Sequence, residues 1–318
     1  MPTNFNNTSS YAGEFAGKYI GAALLSANTI ENGGVTVMPN VKYRSTVKAL
    51  TTQTDFIKND SCDFDPTGDV VLGDRVIEPK YLQINATVCK KEFEDDWEAI
   101  QMGYSAFDTL PKNFTDFFIA RLLGSMAEST EVSLWTGDSA VNGQFDGLFS
   151  LALSEVGTGI PLAQGVGGTT IDPTNVIAEI GKVVDALPSR LYGKEGLKIY
   201  APQNVVRAYV RALGGFASGV GAAGINNQGT TWYNGNANAL TFDGIPLFMA
   251  NGMDSNTMLA STKENLFFGT GLLSDHQECR IIDMSAIDGS KNVRFVARYT
   301  AGTQIGILED CVVYDVSL

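Results

Sequence analysis

The stretch that most constrains this chain is Pro111 to Trp135, PKNFTDFFIARLLGSMAESTEVSLW. Phe114, Phe118, Leu122 and Met126 recur every four residues, and Phe117 widens the stripe. That period predicts a helix with one buried face. Thr109 is placed to cap it, and Pro111 suits a first turn whose N–H needs no partner. Gly137-Asp138 closes it. At 1.5 Å per residue the rod is about 37 Å long. Gly124 costs about 1 kcal/mol against alanine, so packing rather than propensity must hold the helix. The pattern allows either an ordinary core helix of an α/β domain or a spine joining two lobes.

The chain has 318 residues, enough for one large or two ordinary domains with a real core. Only 18% of residues are charged, below the usual quarter. Such a chain buries much of its surface or covers it with partners. Formal net charge is −13, with no polybasic tail and no Lys/Arg stripe. Nucleic-acid affinity comes largely from neutralising phosphates, so direct DNA binding is disfavoured. No run approaches the roughly 20 apolar residues of a membrane-spanning helix, and nothing resembles an export signal.

The order of segments predicts four pieces. Met1 to Ser10 is polar, Tyr11 to Ala27 suits a short helix, and Glu31 to Gly34 breaks the chain before an extended Val35 to Pro39. This front segment has no core of its own and reads as an arm. Val41 to Glu92 reads as a long two-stranded excursion around the turn-rich Asp63 to Asp69, with Tyr81, Gln83, Asn85 and Thr87 alternating with apolar residues. An isolated hairpin is marginal in water, so it should lie on a neighbour. Phe93 to Gln101 suits a short helix before the long one, and Val156 to Thr170 a glycine-rich loop. A second lobe opens at Asp172-Pro173, with helices to Leu187 and over Pro202 to Leu213, and strands at Leu197 to Ala201, Leu240 to Phe242, Ile245 to Met249, Thr257 to Ser261 and Leu266 to Phe268. Cys279 to Met284, Val293 to Tyr299, Thr303 to Leu308 and Cys311 to Val316 are further strands.

The motifs for chemistry fail on context. Gly219 to Gly224 matches G-x-G-x-x-G, with Asp243 downstream, but a helix precedes it and Ile225 to Gly229 cannot open one. The one histidine, His276, has only Asp275 and Cys279 beside it, too few for a zinc set. Asp95-Asp96 falls on an exposed helix end. Cys62, Cys89, Cys279 and Cys311 form no C-x-x-C and read as reduced thiols; a Cys62–Cys89 bridge is the one pairing the hairpin would allow. The sequence therefore nominates no catalytic, cofactor-binding or metal-binding residue and no cofactor.

Thr241 to Asp275 carries Gly244-Ile245-Pro246, Met258-Leu259-Ala260-Ser261 and Asn265 to Thr270 in order. Ile199-Tyr200-Ala201-Pro202 lies upstream; Ile282-Asp283-Met284, Arg298 to Gln304 and Glu309 to Tyr314 follow. This series resembles the carboxyl half of the HK97-fold major capsid proteins of tailed bacteriophages (Caudoviricetes). The resemblance is strongest over residues 172–318; over the first half it rests on the arm, hairpin and long helix.

It implies an α+β capsid fold with an N-terminal arm over 1–40, an E-loop over 41–92, a P-domain over 93–170 and 286–318 with the spine helix and a sheet, and an A-domain over 171–285 with a sheet flanked by helices. It implies a structural virion protein, not an enzyme, that self-assembles as hexamers and pentamers into an icosahedral shell enclosing double-stranded DNA without sequence-specific binding. Its partners would be copies of itself, with scaffolding, portal and decoration proteins, and no membrane; assembly would occur in the host cytoplasm. A scaffold, if used, is expected to be a separate chain. Lys48, Lys58 and Lys80 lie in the E-loop region, but no motif selects one for the Lys–Asn crosslink of some relatives. Two alternatives are an encapsulin-type compartment enclosing a cargo enzyme and a nucleotide-binding α/β enzyme.

Overall fold

The computed structural model describes residues 28–41, 43–52, 59, 62, 70–89, 112–164, 170–213, 240–271 and 279–316. In chain order these form α1 (Asn28–Glu31), β1 (Thr36–Met38), β2 (Ser45–Thr52), β3 (Val70–Ile77), β4 (Lys80–Cys89), α2 (Lys112–Thr136) and α3 (Leu148–Ser154). Then come β5 (Leu162–Gln164), α4 (Val176–Asp185), β6 (Leu197–Ala201), α5 (Gln203–Leu213), β7 (Thr241–Phe242), β8 (Ile245–Met249) and β9 (Thr257–Thr262). The last are β10 (Leu266–Thr270), β11 (Cys279–Asp283), β12 (Asn292–Ile305) and β13 (Cys311–Asp315). The expected helices at Tyr11–Ala27 and Phe93–Gln101 lie outside the described residues.

A six-stranded mixed sheet has the order β5-β13-β9-β6-β8-β7. Every residue of β13 is buried, as are the first five of β9. Strands apolar at consecutive positions are covered on both faces, and two cores result. Ile199, Leu247, Ala260, Val312 and Tyr314 pack under α4 and α5 with Ile180, Val183 and Val205. Tyr200, Phe248, Leu259, Cys311 and Val313 pack on the opposite side with Trp135, Phe149 and Phe268. The long helix is thus a middle layer, with this sheet beneath its C-terminal end.

Asp172 and Pro173 suit an N-cap and first helical position in sequence, but the N-cap of α4 is Asn175; Asp172 instead holds the turn before it, its carboxylate accepting from the Thr174 and Asn175 N–H groups. The Thr174 hydroxyl, which also donates to it, and these N–H groups hold the carboxyl below its usual range. The regular helix opens at Val176, three residues after Pro173. Within this core Glu179 is buried and accepts from the Tyr314 hydroxyl at 2.6 Å and from Lys182 at 2.8 Å. Burial pushes its carboxyl up, but the Lys182 and Tyr314 bonds and the Lys182 charge outweigh that and lower it. Tyr314→Phe is expected to cost about 1.5–3 kcal/mol, as for a hydrogen bond to a charged group. Because the folded value is depressed, this stability is present above the ordinary value of 4.5 and lost as pH falls through the folded one. Urea denaturation of both chains across that range measures it.

The second sheet has five strands, β1-β10-β12-β11, with β4 on the other edge of β12. β10 and β11 lie end to end along one side of β12, opposite Ala301–Ile305 and Val293–Ala297. β4 runs along the other side for ten positions, from Asn292↔Cys89 to Ala301↔Lys80. The expected alternation holds: Tyr81, Gln83, Asn85 and Thr87 are exposed.

The sequence expectations need correction at several places. Val293 to Tyr299 and Thr303 to Leu308 form one 14-residue strand, β12, rather than two. Gly302 marks no turn; a Cβ there would lie 2.9 Å from Pro79 Cα, so the glycine admits a crossing backbone. β4 is not part of a two-stranded excursion but belongs to the body; the hairpin is β2 with β3. The Val156–Thr170 loop contains β5, parallel to β13, and Leu148 opens the helix α3.

The arm differs most. Its end finds burial on its own chain: β1 pairs in parallel with β10, and Thr29, Val35 and Val41 are 0%, 2% and 5% exposed.

Candidate functional site: the arm junction, the hairpin and the exposed sheet face

The long helix was expected to bury a single stripe. Met126 is buried, but the next turns bury Thr130, Glu131, Ser133, Leu134 and Trp135, which surround the axis. Side chains of the Phe114 to Phe118 segment lie outside the described residues. Glycines let backbone reach this helix end. A Cβ on Gly252 would lie 2.2 Å from the Glu131 carbonyl oxygen, one on Gly147 2.4 Å from that of Trp135, and one on Gly137 2.5 Å from that of Ser133.

The arm docks here. Thr29 donates its N–H to Glu131 at 3.2 Å and its hydroxyl to the other carboxylate oxygen. Trp135 Nε1 donates to Thr29 Oγ1 at 2.9 Å, and the Gly252 N–H also reaches Glu131. Asn28 donates to the Met249 carbonyl, and Tyr200 to that of Gly34. Burial raises the Glu131 carboxyl, and the Thr29, Trp135 and Gly252 hydrogen bonds only partly offset this. The Trp135 ring stacks 5.1 Å from Tyr200, which lies 5.4 Å from Phe248. The arm is therefore pinned at a defined point, whatever residues 1–27 do.

Among the described residues, the hairpin is anchored at its root. Ile77 is fully buried and Val47 is 8% exposed. Arg75 pairs with Glu155 at 3.3 Å and with Gln304, whose amide donates to the Val76 carbonyl at 2.8 Å. Beyond the Val47↔Arg75 pair, Lys48, Gly73 and Asp74 are exposed. A two-stranded ribbon with such exposure needs another surface for stability.

His276, Asp95-Asp96, Gly219 to Gly224 and Lys58 lie outside the described residues. Asp243 occupies a left-handed turn position between β7 and β8, where its carbonyl accepts from Tyr192. Lys48 faces solvent opposite Asp74, and Lys80 donates to the Ser139 carbonyl at 2.7 Å. Cys62 and Cys89 are both free, so the bridge does not form. Cys311 is buried, which pushes its thiol up to about 12. A cleft of about 460 Å³ beside Phe149 and Leu153 holds Asp254 and Asp315. Among the described residues, no group of three metal-ligating side chains occurs there or elsewhere, and no helix is long and apolar enough to cross a membrane.

No protein-family profile and no curated protein sequence matches this chain. Solved structures do. The capsid of a native GTA particle aligns with a TM-score of 0.59 at 13% identity, over 98% of this chain and 96% of that one. The capsid of Myoviridae phage XM1 aligns with a TM-score of 0.58 at 12% identity, over 94% of both chains. This chain has a phage-capsid fold. A structure from Mycobacterium phage Adephagia aligns similarly, with a TM-score of 0.59 at 10% identity over 93% of each chain. The capsid fold thus extends through the first half of the chain, where the sequence resemblance rested on the order of segments alone. At such identity the shared property is the layout of layers, not particular side chains.

Proposed function

We propose that this chain is a major capsid protein of the HK97 type, a structural subunit that forms hexamers and pentamers and closes them into an icosahedral shell around packaged double-stranded DNA. The observation that carries this is the match to capsid structures over more than nine tenths of both chains. Head-to-tail contacts that close into rings suit a subunit with a hairpin anchored at one end. On this reading residues 1–40 are the arm, 41–92 the E-loop, 93–170 with 286–318 the P-domain, and 171–285 the A-domain. The division is one of segments: the β9–β13 and β10–β12 ladders tie the last two together. Scaffolding, portal and decoration proteins would meet the shell from outside this chain, and assembly would take place in the host cytoplasm before the protein resides in the virion.

The test removes the hairpin and keeps its root. Replacing residues 48–74 with Asn-Gly closes Val47 onto Arg75 through a two-residue turn. The variant is expected to fold with a melting midpoint within about 2 °C of wild type, since the root contacts remain. It is expected to form no closed particles by electron microscopy under conditions where the full chain does. Normal particles from the variant would refute the role assigned to the hairpin. Wild-type particles filled with protein cargo rather than nuclease-protected DNA would overturn the genome-enclosing function.

A further inference from the structure

Asparagine precedes glycine at Asn32-Gly33, Asn142-Gly143, Asn234-Gly235 and Asn251-Gly252. Asparagine is a thermolabile residue. Its side-chain carbonyl carbon is open to attack by the main-chain nitrogen of the next residue, and glycine, with no Cβ, hinders that approach least. The fold treats the pairs differently. The Gly33 N–H donates to the Ile30 carbonyl at 3.2 Å. The Gly252 N–H reaches the buried Glu131 carboxylate, and the Glu131 backbone crowds that glycine. Asn234-Gly235 lies outside the described residues. Asn142-Gly143 is open. Both residues are exposed, and a Cβ on Gly143 would meet nothing within 4 Å. Among the described residues, no acceptor holds the Gly143 N–H.

The loop around this pair is held at both ends. The Val141 N–H donates to the Asp138 carbonyl at 3.0 Å, and the Gln144 N–H to that of Val141 at 3.3 Å. The Gln144 side chain accepts from the Asp138 N–H at 3.2 Å, and the Asp146 carboxylate from the Ser139 N–H at 2.9 Å. Gly143, at φ +85°, takes the left-handed position inside the turn. We propose that Asn142-Gly143 is a self-modification site, where asparagine loses its amide to water while Asn32 and Asn251 persist. The Gly143 nitrogen gives up its proton and bonds to Asn142 Cγ. The Cγ–Nδ2 bond breaks, and Nδ2 leaves as ammonia with that proton. Water then opens the cyclic imide. Opening at Cγ yields aspartate, and opening at the main-chain carbonyl yields isoaspartate. The sum is amide plus water to carboxylate plus ammonium, with no oxidant and no cofactor. Either product adds one negative charge to a chain already at −13. Isoaspartate also lengthens the main chain within the Val141–Gln144 turn. The charge appears in the loop whose Ser139 carbonyl accepts from Lys80 at the start of β4. New and aged copies therefore differ at the C-terminal end of the spine helix. This goes beyond the shell-subunit reading and does not depend on it.

The test is peptide mapping by mass spectrometry of the full-length chain, held in mildly alkaline heavy-oxygen water at physiological temperature. The peptide carrying Asn142 is expected to gain one labelled carboxyl oxygen and to separate into aspartate and isoaspartate forms. Its rate is expected to be at least about tenfold that of the peptides carrying Asn32 and Asn251, which must first open locally. The same chain unfolded in urea is expected to convert all three at similar rates, because only the fold separates them. Asn142→Gln is expected to leave that peptide unlabelled, since the longer side chain would have to close a larger ring. Residues 138–144 bury no side chain, so this variant keeps the fold. Equal native rates at Asn142, Asn32 and Asn251 would overturn the proposal. So would a native Asn142 that persists while the unfolded chain converts, which would show that the loop withholds the attacking geometry.

Discussion

Trp135→Ala is expected to destabilise the chain by about 3–5 kcal/mol, the range for truncating a buried large aromatic. The side chain is fully buried and stacks on Tyr200 at 5.1 Å. It is also the donor that holds Thr29 Oγ1 in place. The truncation therefore opens a cavity between the spine helix and the six-stranded sheet and removes a support of the arm. A shift in denaturation midpoint at unchanged slope measures the first effect. Faster hydrogen exchange over residues 28–38 than over β9 measures the second. Trp135→Phe should recover much of the packing and leave the arm exchanging fast, because phenylalanine has no N–H to donate. Equal exchange in both segments for both variants would show that the tryptophan is only core filling.

Glu131→Ala is expected to cost about 3 kcal/mol, since it strands the Thr29 N–H and hydroxyl and the Gly252 N–H at a fully buried position. Glu131→Gln should cost about 1 kcal/mol near neutral pH, because one oxygen still accepts and no charge is buried. The pH dependence separates the two. The folded carboxyl lies above its ordinary value of 4.5, chiefly through burial. Between those two values the folded state holds the extra proton, so stability rises as pH falls from above the folded value toward 4.5. Glu179 and Asp172 act in the opposite direction, having lowered values. The wild-type stability minus that of Glu131→Gln isolates the Glu131 contribution. It should increase on acidification, and a difference flat with pH would show that the buried carboxylate carries no such penalty.

How much of this was legible in the residues follows from the range of each interaction. The long helix, the strands β6 and β8, and the inward and outward sides of β4 follow from spacing along a few turns or pleats, and all stand as expected. Gly302 and Gly252 look like turn residues in sequence, yet each admits a crossing backbone that arrives from elsewhere in the chain. No local pattern distinguishes those two uses of glycine. Glu131 looked like one more acid on a helix surface; only the arrival of Thr29, about a hundred positions earlier, makes it a buried acceptor.

The same division holds for the arm and the asparagine–glycine pairs. A segment without enough apolar residues for its own core must find burial on something else, and its composition says so. Whether that surface is its own body or a second copy depends on which sheet edge is free, and β10 offers one to β1. Asn32-Gly33, Asn142-Gly143 and Asn251-Gly252 read alike in sequence; the fold alone decides which glycine N–H is engaged. Local periodicity determined the long helix, the strands β6 and β8 and the buried side of β4. Long-range pairing decided which edges, charges and glycine gaps meet, because those depend on residues the chain brings together only when folded.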